Sequence, residues 1–312
     1  MDEALAKTEA VIAKLKQVRA GLLHDLLTRG LDEHGQLRDP IAHPEQFQDS
    51  PLGRIPGEWT VGFLDGTVSQ PSDLAIGPFG SNLLASDYRS EGAPVVFVRD
   101  VREDGFVWNS NIYVSKDKAD ELRAHSIFAG DVLITKMGLP PCIAAVYPNT
   151  MPSGVVTADV IRLRPRVDVV ISFWLAAYIN SPRFAACVRQ ITGGVTRPKV
   201  TLTDFRKQPV LLPPVEEQKR IENMVLAMAR GIEEVEAESQ KLLMLKSGLM
   251  TDLLTGRVRV PEHFGVRRHD AALSSRAHES ASGPLGSEIA DESGDTSPHA
   301  KNTSSHAKRE AP

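Results

Sequence analysis

Two stretches near opposite ends of the chain decide the fold: GLLHDLLT at residues 21–28 and GLMTDLLT at residues 248–255. They share six of eight residues at a constant offset of 227. A glycine closes each copy, Gly30 and Gly256, and glycine accepts the left-handed conformation at a helix C-terminus. The repeat predicts two helices with equivalent C-terminal ends, one on each side of a globular domain.

Heptad patterns extend both helices upstream of the repeat. Over residues 215–255 the apolar positions alternate steps of four and three, which is typical of a coiled-coil seam. Two prolines at residues 213–214 mark the start of this helix, and Glu216 and Glu217 follow in its first turn. An alternative is that two amphipathic helices merely close an ordinary domain. Because the copies match in register, we predict helix pairing through Leu15, Arg19, Leu22, Leu26, Leu242, Lys246, Leu249 and Leu253.

The chain between the two helices divides by composition into a linker and a body. Residues 31–50 are polar with two prolines, which predicts a linker. The body, residues 51–213, alternates β-rich runs with helical stretches and predicts an α/β or α+β domain with a mixed sheet. We expect strands at 95–98, 111–114, 131–135 and 158–164, and helices at 116–125, 170–179 and 182–191. The helix at 214–256 follows, and we expect residues 257–312 to be a disordered tail.

Charge is distributed unevenly along the body. The whole chain has a formal net charge of −4, which argues weakly against a polyanionic partner. Residues 51–160 contain 8 Lys and Arg against 13 Asp and Glu, whereas residues 161–213 contain 9 against 2. The second stretch therefore predicts a basic face.

Several functional classes lack their sequence signals. The chain has no Gly-rich S-adenosylmethionine loop, no Walker A loop and no metal–carboxylate nuclease motif, so we predict no catalytic residues. The two cysteines, Cys142 and Cys187, lie singly in apolar surroundings, which favours buried thiols over a zinc site or a disulfide. No cofactor and no metal are expected. Apolar runs are too short to span a bilayer, so we expect a cytoplasmic protein with no membrane contact.

The loop at residues 76–83, IGPFGSNL, is the first candidate for contact with a polyanion. Its two glycines let backbone N–H groups approach a ligand closely, and Ser81 and Asn82 offer hydrogen bonds. Phe79 is an anchor or wedge in this interpretation. The alternative is a tight turn that a buried Phe79 holds in place.

The segment at residues 192–201, TGGVTRPKVT, is the second candidate. Arg197 suits bidentate reading of guanine, whereas Lys199 suits a phosphate contact. Arg162, Arg164 and Arg166 share strand parity, which predicts a basic ridge or simply solvated charges. The candidate DNA-binding residues are Ser81, Asn82, Arg162, Arg164, Thr196, Arg197, Lys199, Arg206 and Lys207.

A set of motifs over residues 1–262 resembles the DNA-specificity subunits of type I restriction-modification systems. These motifs are GLLHDLLTRGLDEHGQLRDP, FQDSPLGRIPGEW, GPFGSNLLASDY, FAGDVLITKMG, LLPPVEEQKRI and GLMTDLLTGRVRV. The family usually has two target-recognition domains, each followed by a long helix, and the helices pack as an antiparallel coiled coil. This chain resembles the distal half, with one target-recognition domain. It departs from the family pattern at KMGLPPC, residues 136–142, so no contact is carried over there.

The resemblance implies a subunit that reads double-stranded DNA without catalysing a reaction. The expected partners are DNA methyltransferase subunits, a restriction and translocation subunit, and either a second copy of the chain or another half-subunit. Two rivals are a coiled-coil adaptor whose middle domain binds protein, and an enzyme that methylates DNA alone. Pairing through a two-fold axis predicts a palindromic bipartite target, whereas pairing with a different half-subunit predicts two unlike half-sites.

Overall fold

The computed structural model of the chain describes residues 2–192 and 198–258, and for Ser81 it describes the backbone alone. Two units result from the distribution of contacts, residues 1–254 and residues 255–312. In the second unit the described residues, 255–258, form a turn. The predicted tail otherwise lies outside the described residues.

Local sequence signals fix the ends of the helices. Ser181 caps one helix by accepting a hydrogen bond from the backbone N–H of Phe184, and Pro182 follows at the first position. Ser115 and Thr201 cap two others in the same way. None of the described helices combines the length and the apolar content needed to cross a membrane. The helices are α1 (Asp2–Arg29), α2 (Lys116–Glu121), α3 (Ser172–Ile179), α4 (Pro182–Ile191), α5 (Leu202–Arg206) and α6 (Val215–Leu254).

Short strands supply the rest of the regular structure. The four strands expected from sequence are present; three are shorter than the run that predicted them, and the strand expected at 95–98 has the expected length but begins two residues earlier. The strands are β1 (Phe47–Ser50), β2 (Gly53–Pro56), β3 (Thr60–Phe63), β4 (Leu74–Ile76), β5 (Tyr88–Arg89), β6 (Ala93–Val96), β7 (Val101–Arg102), β8 (Gly105–Phe106), β9 (Tyr113–Val114), β10 (Ser126–Ile127), β11 (Val132–Thr135), β12 (Ala144–Val146), β13 (Gly154–Val156), β14 (Val160–Leu163) and β15 (Pro209–Leu212).

Two larger sheets form the centre of the body. One is antiparallel in the order β12-β11-β14-β4, and the other runs β10-β13-β6-β9-β5 with a parallel pair between β13 and β6. Two-stranded pairs, β1 with β2, β7 with β8 and β15 with β3, complete the pairing. A mixed α and β architecture is therefore confirmed.

A single large hydrophobic cluster joins the body to both long helices. Trp59 and Trp174 meet edge to face with ring centroids 5.2 Å apart, and the indole N–H of Trp174 donates to the Leu211 carbonyl at 2.8 Å. Leu26 of α1 and Ile221 of α6 are buried in the same cluster. Helix α1 thus ends in the core of the body, and helix α6 begins there.

Helices α1 and α6 pack against each other in opposite directions. Lys16 forms an ion pair with Glu236 at 2.6 Å, and Lys246 forms one with Asp2. Seam positions are buried at Leu5 on α1 and at Ile232 and Ser239 on α6. These contacts place the start of α1 beside residue 246 and its end beside the start of α6.

A buried carboxylate holds the end of α1. Gly30 takes φ 63° after the helix, and the Glu217 carboxylate accepts hydrogen bonds from the Leu31 N–H at 2.8 Å and the Trp59 indole at 3.1 Å. The Arg38 guanidinium contacts the same carboxylate at 2.7 Å. A Cβ on Gly30 would lie 2.2 Å from a Glu217 oxygen, so only glycine fits at this position.

Residues 31–50 are more structured than the predicted linker. Arg38 is buried in the contact with Glu217, and β1 pairs with β2 across the expected domain boundary near residue 51. The prediction of a linker was wrong because it took polar residues to be solvated. Arg38 is instead buried, and its charge forms an ion pair with Glu217.

Candidate nucleic-acid interface

The loop after β4 presents an aromatic ring beside a cation. Phe79 is 59% exposed, and the Lys136 ammonium lies 5.1 Å from the centre of its ring. The alternative of a buried Phe79 holding a turn is therefore wrong. Asn82 is exposed on the same loop. Phe79 and Asn82 are therefore exposed, the side chain of Ser81 lies outside the described part of the chain, and contact of this loop with a polyanion stays a prediction.

The turn at residues 136–142 lies against the segment that contains Lys199. The backbone N–H of Val200 donates to the Lys136 carbonyl at 3.0 Å, and Met137 pairs with Lys199 in an isolated bridge. Leu139, at the tip of the turn, is 82% exposed. Lys199 is itself exposed, whereas Thr196 and Arg197 lie outside the described residues.

These two loops face each other across a cleft of about 810 Å³. The lining of this cleft includes aromatic and basic residues that were not among the candidates predicted from sequence. Tyr88 and Phe97 meet edge to face at 5.9 Å, and the Arg99 guanidinium lies 4.4 Å from the centre of the Phe97 ring. The lining includes Tyr88, Phe97, Arg99, Leu139, Asp159 and Pro198.

A buried aspartate shapes the strand end that carries Arg99. Asp100 is buried, and its carboxylate accepts hydrogen bonds from the N–H groups of Phe97, Asn109 and Ser110 at 2.9 to 3.1 Å. This network fixes the backbone on both sides of Arg99. The tetrapeptide FVRD, an aromatic and an arginine before a buried acid, is the signal that could have revealed the site.

The predicted basic ridge on β14 is wrong for Arg162. Its side chain is 4% exposed, and the guanidinium donates to the carbonyls of Ser126 at 2.8 Å and Ser72. Burial lowers the pKa of Arg162 below its ordinary value. The alternating parity was observed correctly, but Arg162 faces the protein interior, where its hydrogen bonds join separate segments of the body.

The neighbouring candidate Arg164 is committed to a carboxylate. Two of its nitrogens meet the two oxygens of buried Asp131 at 2.8 Å, and this pairing raises the pKa of Arg164. The guanidinium also lies 4.8 Å from the centre of the Phe128 ring. Arg164 is thus held in place by three protein contacts and stays at most a secondary candidate for DNA contact.

The last two basic candidates differ in their surroundings. Arg206 is half-buried and donates to the carbonyls of Pro71, at 2.6 Å, and Leu74, at the beginning of β4. Lys207 is exposed. The structure therefore groups the loop of Asn82 and the segment of Lys199 at one cleft, and it gives Arg162 and Arg206 bonding roles within the body.

The predicted pairing residues also separate into two groups. Leu26 is buried, and Leu15, Arg19, Leu22, Leu242 and Lys246 are half-buried on the seam. Leu249 and Leu253, by contrast, are exposed. The seam of α6 therefore extends past the region that α1 covers.

The cleft has no metal-binding cluster of His, Cys, Asp and Glu among residues 2–192 and 198–258. Cys142 is buried, and burial raises the pKa of its thiol to about 12. Desolvation raises the pKa of Cys187 as well. Neither thiol is activated as a nucleophile. The chemistry that the described cleft offers is stacking, cation–π contact and hydrogen bonding.

Known proteins similar to this chain share one description. Residues 89–242 match the family model described as "Type I restriction modification DNA specificity domain". The putative type I restriction enzyme MjaX specificity subunit of Methanocaldococcus jannaschii is 27% identical over 265 residues, which cover 83% of this chain and 55% of that protein. The EcoBI specificity subunit of Escherichia coli is 21% identical and is covered to 53%. The chain spans about half the length of the curated relatives it matches.

Two solved structures have a distant similarity to this chain. The HsdS subunit from Thermoanaerobacter tengcongensis shares 21% identity with a TM-score of 0.45, covering 79% of this chain and 56% of that one. The type I S subunit from M. genitalium shares 15% identity with a TM-score of 0.45, covering 81% and 57%.

Proposed function

We propose that the chain is a sequence-specific DNA-binding subunit, because residues 89–242 match the family model of the type I restriction-modification DNA specificity domain. It directs partner methyltransferase and restriction subunits to a bipartite target and does not itself catalyse a reaction. It works in the cytoplasm, in contact with double-stranded DNA. The names of the curated relatives as specificity subunits of restriction enzymes support this assignment.

The single observation that carries the proposal is the cleft between the loop of Phe79 and the turn of Leu139. Arg99 lies over the Phe97 ring in the lining of this cleft, and Lys136, the neighbour in sequence of the lining residue Met137, lies over the Phe79 ring. A cation fixed on a ring keeps its position without losing its charge, so it is prepared for contact with phosphates or base edges. Exposed apolar side chains at both rims suit contact with thymine methyl groups or unstacked bases.

The pieces of the chain take separate roles in this proposal. Residues 51–213 form the target-recognition domain, and the helices at 1–30 and 214–256 form an antiparallel coiled coil. The coiled coil sets the position of the recognition domain and offers a docking surface to methyltransferase subunits. We propose that it pairs with a second half-subunit to read both half-sites, because equivalent helix endings lie on both sides of one recognition domain.

A binding assay with the full chain and a randomised DNA library tests the proposal. We expect enrichment of one half-site, with an affinity that falls steeply as salt rises from 50 to 200 mM, values at which phosphate contacts typically weaken by orders of magnitude. Lys136→Ala should weaken binding to all sequences and reduce the salt slope by about 1, whereas Arg99→Ala should relax sequence preference.

The matched control is Arg54→Ala. Arg54 also lies over an aromatic ring, 5.6 Å from the centre of Phe47, but on the β1–β2 hairpin and not at the cleft. We expect Arg54→Ala to leave DNA binding unchanged.

The segment next to the turn gives a second pair of variants. Arg197→Ala should relax the sequence preference, and Lys199→Ala should weaken binding to all sequences equally. Salt-dependent binding without any sequence preference would contradict the specificity role, and loss of binding in the Arg54 variant would contradict the location.

A further inference from the structure

An aspartate without an internal partner lines the cleft that we propose for DNA binding. Asp159 lies in the turn between β13 and β14, half-buried in the lining of the cleft. Within residues 2–192 and 198–258, no ion pair and no hydrogen bond engages its carboxylate. A half-buried carboxylate has lost part of its hydration, so a hydrogen-bond donor on a ligand would stabilise it.

The three buried aspartates in the described part of the body all have partners. Asp100 accepts three backbone hydrogen bonds, and Asp131 accepts two from the guanidinium of Arg164. Asp73 lies 4.0 Å from the same guanidinium. The carboxylate of Asp159 takes no part in these networks, so the fold does not use its charge.

The backbone of the turn that carries Asp159 is held on three sides. The N–H and the hydroxyl of Thr157 both donate to the Val96 carbonyl, at 3.0 and 3.1 Å, and the Lys136 N–H donates to the Asp159 carbonyl at 2.8 Å. A Cβ on Gly77, which follows β4, would lie 2.3 Å from the carbonyl carbon of Thr157, so the first loop begins in direct contact with this turn. The Asp159 carboxylate is therefore presented to the cleft from a fixed position.

The cleft also contains a cation that does not pair with Asp159. Arg99 lines the cleft over a ring, and its guanidinium forms no ion pair or hydrogen bond with any residue that the structure describes. Elsewhere in the body Arg164 and Asp131 meet and neutralise each other. Because Arg99 and Asp159 stay apart, the cleft offers donors and an acceptor to the same ligand. This combination suits a base edge, whereas a phosphate carries acceptors alone.

Exocyclic amines are the groups of a DNA duplex that donate to a carboxylate. In the major groove, cytosine presents its N4 amine and adenine presents its N6 amine. The adenine amine lies beside the N7 acceptor, whose lone pair repels a carboxylate, whereas the cytosine amine lies beside a C–H group. An aspartate therefore favours cytosine, and an asparagine favours adenine.

From these observations we propose that Asp159 is a specificity-determining residue, whose carboxylate accepts a hydrogen bond from the N4 amine of one cytosine in the major groove. The inference rests on the proposed DNA-binding function and deepens it, because it names a base and the side chain that reads it. The same negative charge repels the phosphates of unrelated DNA. Asp159 thus favours the target sequence and disfavours other sequences.

Selection from a randomised duplex library, with the full chain and with its Asp159→Asn variant, tests this assignment. The amide has the shape of the carboxylate without its charge, and it can bond to both N6 and N7 of adenine. At one position of the selected half-site, the preference for cytosine over adenine should fall about tenfold. Binding to an unrelated duplex should strengthen, because a negative charge leaves the cleft. An unchanged preference at every position would overturn the proposal.

A base analogue tests the contact in the unsubstituted chain. The pyrimidinone analogue of cytosine lacks the N4 amine, and at the selected position it should weaken binding of the parent about tenfold and binding of Asp159→Ala less than about threefold. Hypoxanthine in place of the opposite guanine removes an amine from the minor groove only, and it should leave binding unchanged. Equal losses with pyrimidinone in the parent and the alanine variant would overturn the proposal, as would a tenfold loss with hypoxanthine.

The matched control is Asp49→Asn, which removes the same charge from the exposed face of the β1–β2 hairpin. We expect it to leave the preference at every position unchanged. Urea unfolding of Asp159→Asn should match that of the parent, and a clear loss of stability would show that the carboxylate serves the fold instead. A parent chain that enriches no half-site would contradict the proposed function together with this inference. A half-site that Asp159→Asn leaves unaltered would contradict this inference alone.

Discussion

The two copies of the repeated helix ending have nearly the same sequence and very different surroundings. Leu26 and Leu27 of the first copy are 0% and 5% exposed, whereas the equivalent Leu253 and Leu254 are 37% and 81% exposed. Both copies end on a glycine with positive φ, 63° at Gly30 and 70° at Gly256. Helix formation and helix termination are thus local properties of the repeat. Burial is not local, because it depends on what the surrounding chain supplies.

The largest expected effect comes from the carboxylate that holds the first copy. Glu217→Ala removes the acceptor for Arg38, Trp59 and the Leu31 N–H, leaving a buried guanidinium without its main partner. We expect a loss of about 3–5 kcal/mol in the free energy of unfolding, measured by urea denaturation. Glu216→Ala, one residue earlier and solvent-exposed, is the control and should have little effect. Similar losses in both variants would mean that Glu217 acts only through the helix dipole.

The second largest effect is the difference in stability lost when the equivalent leucines of the two repeat copies are truncated. Leu26→Ala creates a cavity in the core and should cost about 2–5 kcal/mol, whereas Leu253→Ala in dilute protein should change stability by about 0.5 kcal/mol or less. Urea denaturation at submicromolar concentration measures both. Equal costs under dilute conditions would show that the second copy is already covered.

The smallest expected effect is at the far end of the helix pair. The hydrogen bond from Lys246 lowers the pKa of Asp2 below its ordinary value of 3.8. A lowered pKa contributes stability above the unfolded pKa, and that contribution is lost as pH falls through the folded value. Because both side chains are exposed, the effect should be slight. The protection factors of amides at the start of α1, which correct for the intrinsic exchange rate, should fall below about pH 4 in the parent chain, and Asp2→Asn should remove that fall.

The helices were predictable because their signals are local. The helix expected at 182–191 is α4 with those bounds, and the helix expected at 214–256 is α6, which runs from Val215 to Leu254. The bounds of the strands were predicted less well. The apolar run at residues 95–98, for example, continues beyond the end of β6 at Val96 into a short turn at Val98–Asp100. Sheet order, including the parallel contact of β13 with β6, depends on long-range packing that periodicity does not encode.

The candidate interface was only partly predictable for the same reason. The loop of Phe79 and the segment of Lys199 were found from glycine, proline and charge. Arg99 was missed because its role depends on the position of Phe97 and on the buried Asp100 network. Arg162 was assigned to the surface because strand parity tells which residues share a face, and does not tell which face is buried.

Mapping of methylated adenines after co-expression of the chain with its methyltransferase is the most direct measurement of the proposed DNA-reading role. We expect methylation at one bipartite sequence with a fixed spacer, with identical inverted half-sites if two copies of the chain pair and unlike half-sites if it pairs with another half-subunit. Methylation without any sequence preference would contradict the proposed role.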